Sequence, residues 1–204
     1  MQIISLHLSS NNAIGNKSSA LQDVAIVPSD LAAHVPRHYG LAQASTLPVT
    51  VLTVFAGFYE AGWPFPDKES SVSRDEPVLV WGGGSGVGQA AIALLKLTGY
   101  TTIITTAAGK REEYLKARGA THVIDYKSPE LASRISEILG EKPLKKAIDT
   151  ISTEETSAQV MSLLSPGASL IYVLPDGSLA KRPDVSSKFV FCGMFHNVSV
   201  QGPD

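Results

Sequence analysis

Val78-Leu79-Val80-Trp81-Gly82-Gly83-Gly84-Ser85-Gly86-Val87-Gly88-Gln89-Ala90-Ala91 is the stretch on which the fold turns. A short apolar run ends in a cluster of glycines, and a helical pattern follows at once. Strand, tight turn and helix in that order is how an α/β protein holds a phosphate. Glycines let the backbone approach a ligand with no Cβ in the way, and the first helical turn offers unpaired N–H groups and a partial positive charge. Pro77 stands just before the strand, where a missing N–H does little harm. The candidate cofactor-binding residues of this turn are Gly83, Gly84, Ser85, Gly86, Val87 and Gly88.

The glycine spacing excludes several chemistries. Read from Gly83, serine replaces the second glycine of G-x-G-x-x-G; read from Gly82, the pattern is G-x-x-x-G-x-G, a spacing used by short-chain dehydrogenases. That chemistry needs a lysine four residues after a tyrosine. Tyr114 is followed at that distance by Arg118, Tyr126 by Glu130 and Tyr172 by Asp176, so the catalytic pair is missing. No Gly-Lys-Ser/Thr follows, which rules out a P-loop. Ser85 has Gly83 two before it but Val87 two after it, which rules out a nucleophile elbow.

Outward from the turn, strands and helices alternate. A helix is expected over residues 87–98, with Ala91, Ile92 and Leu95 on one face and Gly99 ending it. Residues 101–106 read as a β-branched strand, 110–118 as a short helix closed by Gly119, and 122–125 as a short buried strand. Ser128, Pro129 and Glu130 mark a helix start, Leu131, Ile135, Ile138 and Leu139 its apolar face, and Gly140 its stop. Residues 146–149 form another strand. Ser152 and Glu155 form a candidate capping box for the next helix, and Ser165-Pro166-Gly167 breaks it before a strand over 168–174. Residues 197–201 read as one more strand.

This alternation predicts an α/β fold, a doubly wound parallel sheet of the Rossmann type. Its switch point, where a ligand should sit, falls between residues 82–88 and 149–151. The flanks read differently. Residues 1–20 are polar and lack a sustained period, 22–27 read as a strand, and 28–30 as a turn. Residues 46–61 read as an apolar helix, and 62–76 and 175–183 as loops.

Composition narrows the partners. The chain has 204 residues and a formal net charge of −2, enough for one well-packed domain and a partial second, with no electrostatic reason for a nucleic-acid or acidic-membrane partner. Cys192 is the only cysteine, so neither a disulfide framework nor a thiolate metal cluster is expected. His34 and His38 are four apart, but Pro36 between them opposes a helix that presents both to a metal. The apolar stretch 47–58 is too short to span a bilayer, and the N-terminus lacks a secretory pattern, so a cytoplasmic protein is expected.

Several segments together carry a family resemblance: Asp23-Val24-Ala25-Ile26-Val27-Pro28, Ala44-Ser45-Thr46-Leu47-Pro48-Val49, the glycine turn, Leu115-Lys116-Ala117-Arg118-Gly119-Ala120-Thr121-His122-Val123-Ile124-Asp125-Tyr126, and Ala147-Ile148-Asp149-Thr150. The chain resembles the medium-chain dehydrogenase/reductase superfamily, and within it the zinc-free quinone reductase and enoyl reductase branch. Its Val-Trp-Gly-Gly-Gly-Ser-Gly-Val-Gly form is similar to fungal zinc-binding-type oxidoreductases and trans-acting enoyl reductases. The resemblance implies a GroES-like catalytic domain of which residues 1–45 are a remnant, followed by a dinucleotide-binding domain over 46–204. It implies an apparently truncated chain with weak turnover, and exposed apolar surface that favours homo-oligomers or other association. The alternative is a non-catalytic NADPH-binding protein, or a subunit pairing with a full-length relative.

For the cofactor, NAD enzymes place a carboxylate about 20 residues after the glycine turn. Here the region reads Thr105-Thr106-Ala107-Ala108-Gly109-Lys110-Arg111, with no carboxylate and two cations, which fits the 2′-phosphate of NADPH. The resemblance adds Tyr126 as a further contact to that phosphate. It also implies hydride transfer to an activated C=C or a quinone, a small-molecule substrate, and no metal. Thr50 is the candidate nicotinamide contact, and Asp149 and Thr150 lie at the switch point. Each of these three could equally be structural, as a helix threonine or as strand-end groups capping backbone. Asp125 and His122 are read as structural.

Overall fold

The computed structural model describes residues 3–5, 23, 32–66, 73–174 and 182–191. The expected strand at 197–201, Cys192, the turn at 28–30, nearly all of the expected strand at 22–27 and most of the loop at 175–183 lie outside the described residues. Two short strands, β1 (Ile3–Ser5) and β2 (Ala32–His34), pair antiparallel as a small separate sheet, so the N-terminal segment without a sustained period contributes a paired strand. Helices α1 (Leu41–Ala44) and α2 (Leu47–Glu60) follow. The remaining elements are β3 (Val78–Trp81), α3 (Gly86–Leu97), β4 (Ile103–Ala107), α4 (Glu112–Arg118), β5 (His122–Asp125), α5 (Leu131–Leu139), β6 (Lys146–Asp149), α6 (Glu154–Leu163), β7 (Ser169–Tyr172) and β8 (Ser186–Phe189).

The main sheet runs β5-β4-β3-β6-β7-β8, with every pair parallel. This is the doubly wound order, and it reverses direction on either side of β3, which carries the glycine turn. Strand β3 is buried on both faces, so it reads as continuous apolar sequence. Val78 and Val80 join Val54, Phe58, Ile92, Leu95 and Leu115 in the core under α2, α3 and α4. Leu79 and Trp81 join Ile135, Val160 and Met161 under α5 and α6.

Local differences from the sequence reading have identifiable causes. The helix expected from residue 110 is a 3-10 turn (Gly109–Arg111) that runs into α4. Helix α5 starts at Leu131, after Ser128 Oγ has accepted the Glu130 N–H at 3.3 Å and used up the cap in a turn. The cap of α6 is Thr153 paired with Thr156, not Ser152 with Glu155. Ser152 is instead drawn to φ +55°: its Oγ donates to the Asp149 carbonyl and accepts from Val173 N–H, at 2.9 and 3.1 Å. Strand β8 was read as neither strand nor helix from sequence.

The stretch Leu41–Glu60 is apolar and long enough by composition to cross a membrane. It is two helices, however, separated by a turn at Ser45–Thr46, and α2, with 14 residues, is about 21 Å long against the ~30 Å of a hydrocarbon core. Helix α2 packs on α3 and β8. Gly57 allows the approach, since a Cβ there would lie 2.8 Å from Ile171 Cγ2. The other face of this region presents Leu41, Leu47, Val49 and Tyr59 to solvent.

At the sheet end away from the glycine turn, the Lys146 ammonium pairs with Glu76 and lies 5.4 and 5.7 Å from the Tyr100 and Trp63 rings. Trp63 Nε1–H donates to Ser169 Oγ at 3.1 Å. Burial alone would depress the Lys146 pKa, but Glu76 and Tyr100 outweigh it and hold it above its usual value. Burial likewise pushes the Tyr100 phenol up. Both folded-state values lie above their unfolded ones, so both groups contribute stability that is present below about pH 10 and lost as pH rises through the folded values. Melting temperature should therefore fall through the alkaline range, and Lys146→Met should flatten that fall. Parallel melting curves against pH for the two proteins would contradict the assignment.

Candidate dinucleotide site

Four strands end at one cleft. A cavity of about 530 Å³ lies over the C-terminal ends of β3, β4, β5 and β6, at the switch point that the sequence pattern places there. Its floor is the glycine turn. Gly82 has φ +83°, a left-handed conformation costly for any residue with a Cβ, and such a Cβ would strike Thr150 Oγ1 and Ile151 Cγ1 at 2.6 and 2.7 Å. A Cβ at Gly83 would lie 2.1 Å from Thr105 Oγ1, and one at Gly88 would lie 2.4 Å from the Gly82 carbonyl oxygen. Thus Gly83 lets the turn lie against β4, and Gly88 lets α3 close onto the turn.

Ser85 caps α3, its Oγ accepting the Gly88 N–H at 2.9 Å. Ser85 Oγ and Thr150 Oγ1 are 2.8 Å apart. Thr150 Oγ1 also lies 2.8 Å from the Trp81 carbonyl and 3.0 Å from that of Gly82. Carbonyls only accept, so the Thr150 hydroxyl donates to one of them and receives the Ser85 proton. Gly82 N–H donates to Thr106 Oγ1 at 3.0 Å, and Gln89 Nε2–H donates to the Gly84 carbonyl at 3.1 Å. Among the described residues, the N–H groups of Gly84, Gly86 and Val87 have no acceptor. They surround the positive end of a 12-residue helix, which suits a pyrophosphate.

The other predicted site residues separate into two groups. Arg111 and Tyr126 line the cavity. The Arg111 stem crosses Gly84, its Cδ 3.3 Å from where a Cβ there would stand, and no carboxylate lies within 4.0 Å of its guanidinium among the described residues. Lys110 and Arg111 are both exposed, but of the two only Arg111 lines the cavity. Gly109 N–H donates to Asp125 Oδ2 at 3.3 Å, and Asp125 Oδ1 accepts from Lys127 N–H at 2.9 Å; this carboxylate shapes the loop that carries Arg111 and Tyr126.

Thr50, Asp149 and Thr150 each hydrogen-bond to nearby backbone. Thr50 Oγ1 donates back to the Thr46 carbonyl at 2.8 Å, and its methyl group meets the turn at Gly86, 2.9 Å from a Cβ built there. Asp149 is fully buried. Its Oδ1 accepts from the N–H groups of Ile151 and Ser152, each at 2.9 Å, and its Oδ2 from the hydroxyls of Thr156 and Ser157 at 3.1 and 3.3 Å. With both oxygens committed and neither lining the cavity, Asp149 holds the β6–α6 corner. Thr150 ties that corner to the glycine turn.

Ile151, inside the expected switch point, lines the cavity, and so do Thr106, Glu155 and Gln159, which the sequence does not single out as site residues. Glu155 and Gln159 are one helical turn apart at the start of α6. Their signal was positional: they open the helix after the strand that pairs with the glycine strand.

Fold and site together define a Rossmann domain of the dinucleotide-binding type. The zinc-binding dehydrogenase family matches residues 86–202, more than half of the chain. The chain belongs to that family, within the medium-chain dehydrogenase/reductase superfamily. It is 32% identical over 181 residues to the trans-enoyl reductase TOXD of Cochliobolus carbonum, covering 87% of this chain and 59% of that protein. It is 38% identical over 129 residues to the trans-enoyl reductase TwmE of Talaromyces wortmannii, covering 61% and 34%. A solved alcohol dehydrogenase superfamily protein from Novosphingobium aromaticivorans superposes with a TM-score of 0.68 at 25% identity, covering 84% of this chain and 49% of that one. The chain spans about half the length of the curated relatives it matches, or less.

Proposed function

We propose that this chain forms the NADPH-binding part of a medium-chain reductase that delivers hydride to the activated C=C bond of an enoyl substrate or to a quinone. The relatives named as enoyl reductases support the reaction class. One observation carries the cofactor choice: Arg111 crosses Gly84 at the cavity edge, where the end of β4 supplies threonine and alanine but no carboxylate. A carboxylate there would favour ribose hydroxyls; a guanidinium favours a phosphate, which it can grip with two parallel hydrogen bonds.

The bound cofactor supplies the hydride, so this chain's task is to bind and orient. The open N–H groups of Gly84, Gly86 and Val87 take the pyrophosphate. Arg111, with Tyr126 beside it, takes the 2′-phosphate. The Ser85–Thr150 pair keeps the turn rigid, so that the donors face the ligand without reorganisation. Thr50, whose methyl group meets the turn at Gly86, is the candidate for contact with the nicotinamide end.

Titration of the 204-residue chain with both reduced cofactors tests the reading. NADPH should bind at least about tenfold tighter than NADH, roughly 1.4 kcal/mol. Arg111→Ala should weaken NADPH and leave NADH nearly unchanged. Equal losses for the two cofactors would remove Arg111 from the 2′-phosphate. A turnover screen with a small quinone and an enoyl thioester then separates the two acceptor classes.

A further inference from the structure

The cavity has two ends of different character. Arg111 and Tyr126 lie at the β4–β5 side, while Glu155 and Gln159 enter from α6 at the β6 side. Ala107 and Ala108 at the end of β4 and Ile151 after β6 add apolar lining. Ile151 is 38% exposed, unusually open for an isoleucine whose Cγ1 and Cδ1 lie over Gly82. Glu155 has no cationic partner among the described residues.

Glu155 is exposed, so water solvates its carboxylate in the open cleft, and a polyanionic ligand that covers it has to bring a hydrogen-bond donor in place of that water. With the 2′-phosphate on Arg111 and the pyrophosphate at α3, the flat base is the part of the nucleotide left for the apolar lining. The base's exocyclic 6-amino group is the donor that adenine offers. An amide side chain is complementary to the same edge, because it can accept from the amino group and donate to a ring nitrogen together.

Resting on the NADPH reading above, we infer that Glu155 and Gln159 read the base of the cofactor and select adenine over purines with a 6-oxo group. Glu155 accepts from the 6-amino group, and Gln159 pairs with the adjoining edge. A 6-oxo purine sets an acceptor against the carboxylate and loses the donor, so the site discriminates by repulsion as well as by a missing bond.

The test compares NADPH with its hypoxanthine analogue, and 2′,5′-ADP with the corresponding inosine bisphosphate, on the native chain and on the double variant Glu155→Ala/Gln159→Ala. Both side chains are exposed on a helix and alanine is a good helix former, so the variant keeps the fold. The native chain should bind each adenine ligand about tenfold tighter than its hypoxanthine counterpart, and the double variant should bring that ratio near one. The preference for NADPH over NADH should survive in the double variant, because Arg111 is untouched. Equal binding of both purines by the native chain, or an unchanged ratio in the variant, overturns the inference while leaving the cofactor reading in place. A purine preference without any 2′-phosphate preference supports the inference and overturns the choice of NADPH. Binding of none of the four ligands overturns both.

Discussion

Gly88→Ala should be among the most damaging single-methyl additions to this chain. The added Cβ would stand 2.4 Å from the Gly82 carbonyl oxygen and 2.8 Å from Gly83 Cα. Both are backbone atoms, so no side chain can turn aside. Helix α3 would have to back away from β3, and α3 carries Ala91, Ile92 and Leu95, all fully buried in the core. Overpacking of this kind, with the backbone as the obstacle, is expected to cost about 3 kcal/mol. For a chain of this length that is a fall in melting temperature of roughly 6–12 °C. The same displacement opens the turn whose N–H groups face the cavity, so dinucleotide binding should weaken with stability. Thermal melting and a cofactor titration on one preparation check both halves. An unchanged melting temperature would mean that the helix and turn are not packed as described.

The second large effect should come from Asp149, and it separates structure from catalysis. Asp149→Ala removes the acceptor of two backbone N–H groups and two hydroxyls at a fully buried corner. Leaving such donors without partners should cost about 3 kcal/mol. Asp149→Asn keeps one oxygen for the paired N–H groups and offers an amide to the two hydroxyls, which can accept as well as donate. Its cost should be smaller, about 1 kcal/mol. Urea denaturation of the three proteins measures this order. A catalytic acid or base would behave the other way: the asparagine variant would fold as well as the native chain and lose turnover. Asparagine about 1 kcal/mol less stable than the native chain, with cofactor binding and any turnover retained, would confirm a positioning role; asparagine as destabilising as alanine would show that the charge itself is required.

These two residues also mark what is legible in sequence. Gly88 was readable because its neighbourhood is local: strand, turn and helix are consecutive, and the apolar run Val78–Trp81 followed by glycines specifies all three. The same holds for α2, whose strong apolar pattern places it within a residue or two. Asp149 lay at a recognisable switch point, yet its role depends on where the next eight residues fold back, and two readings were open until the corner was seen.

Composition and periodicity by themselves determined the alternation of strands and helices, the parallel sheet, the place of the cleft and the absence of a carboxylate at the end of β4. Those properties follow from residues adjacent along the chain, where spacing alone sets which side chains share a face. Tertiary structure alone decided the rest. Ser186-Ser187-Lys188-Phe189 has no apolar alternation to announce a strand, and becomes β8 because β7 offers it a hydrogen-bonding edge. Ser152 gives up the cap of α6 to Thr153 because the Val173 N–H, 21 residues away, needs its oxygen. Lys110 and Arg111 are exposed neighbours of equal charge, and only the 3-10 turn decides that Arg111 crosses Gly84 and lines the cavity while Lys110 does not. Glu155 and Gln159 look like any polar face of a helix until β6 sets them opposite Arg111 in one cavity. In each case the deciding contact joins residues far apart in the chain, and such contacts leave no trace in local spacing.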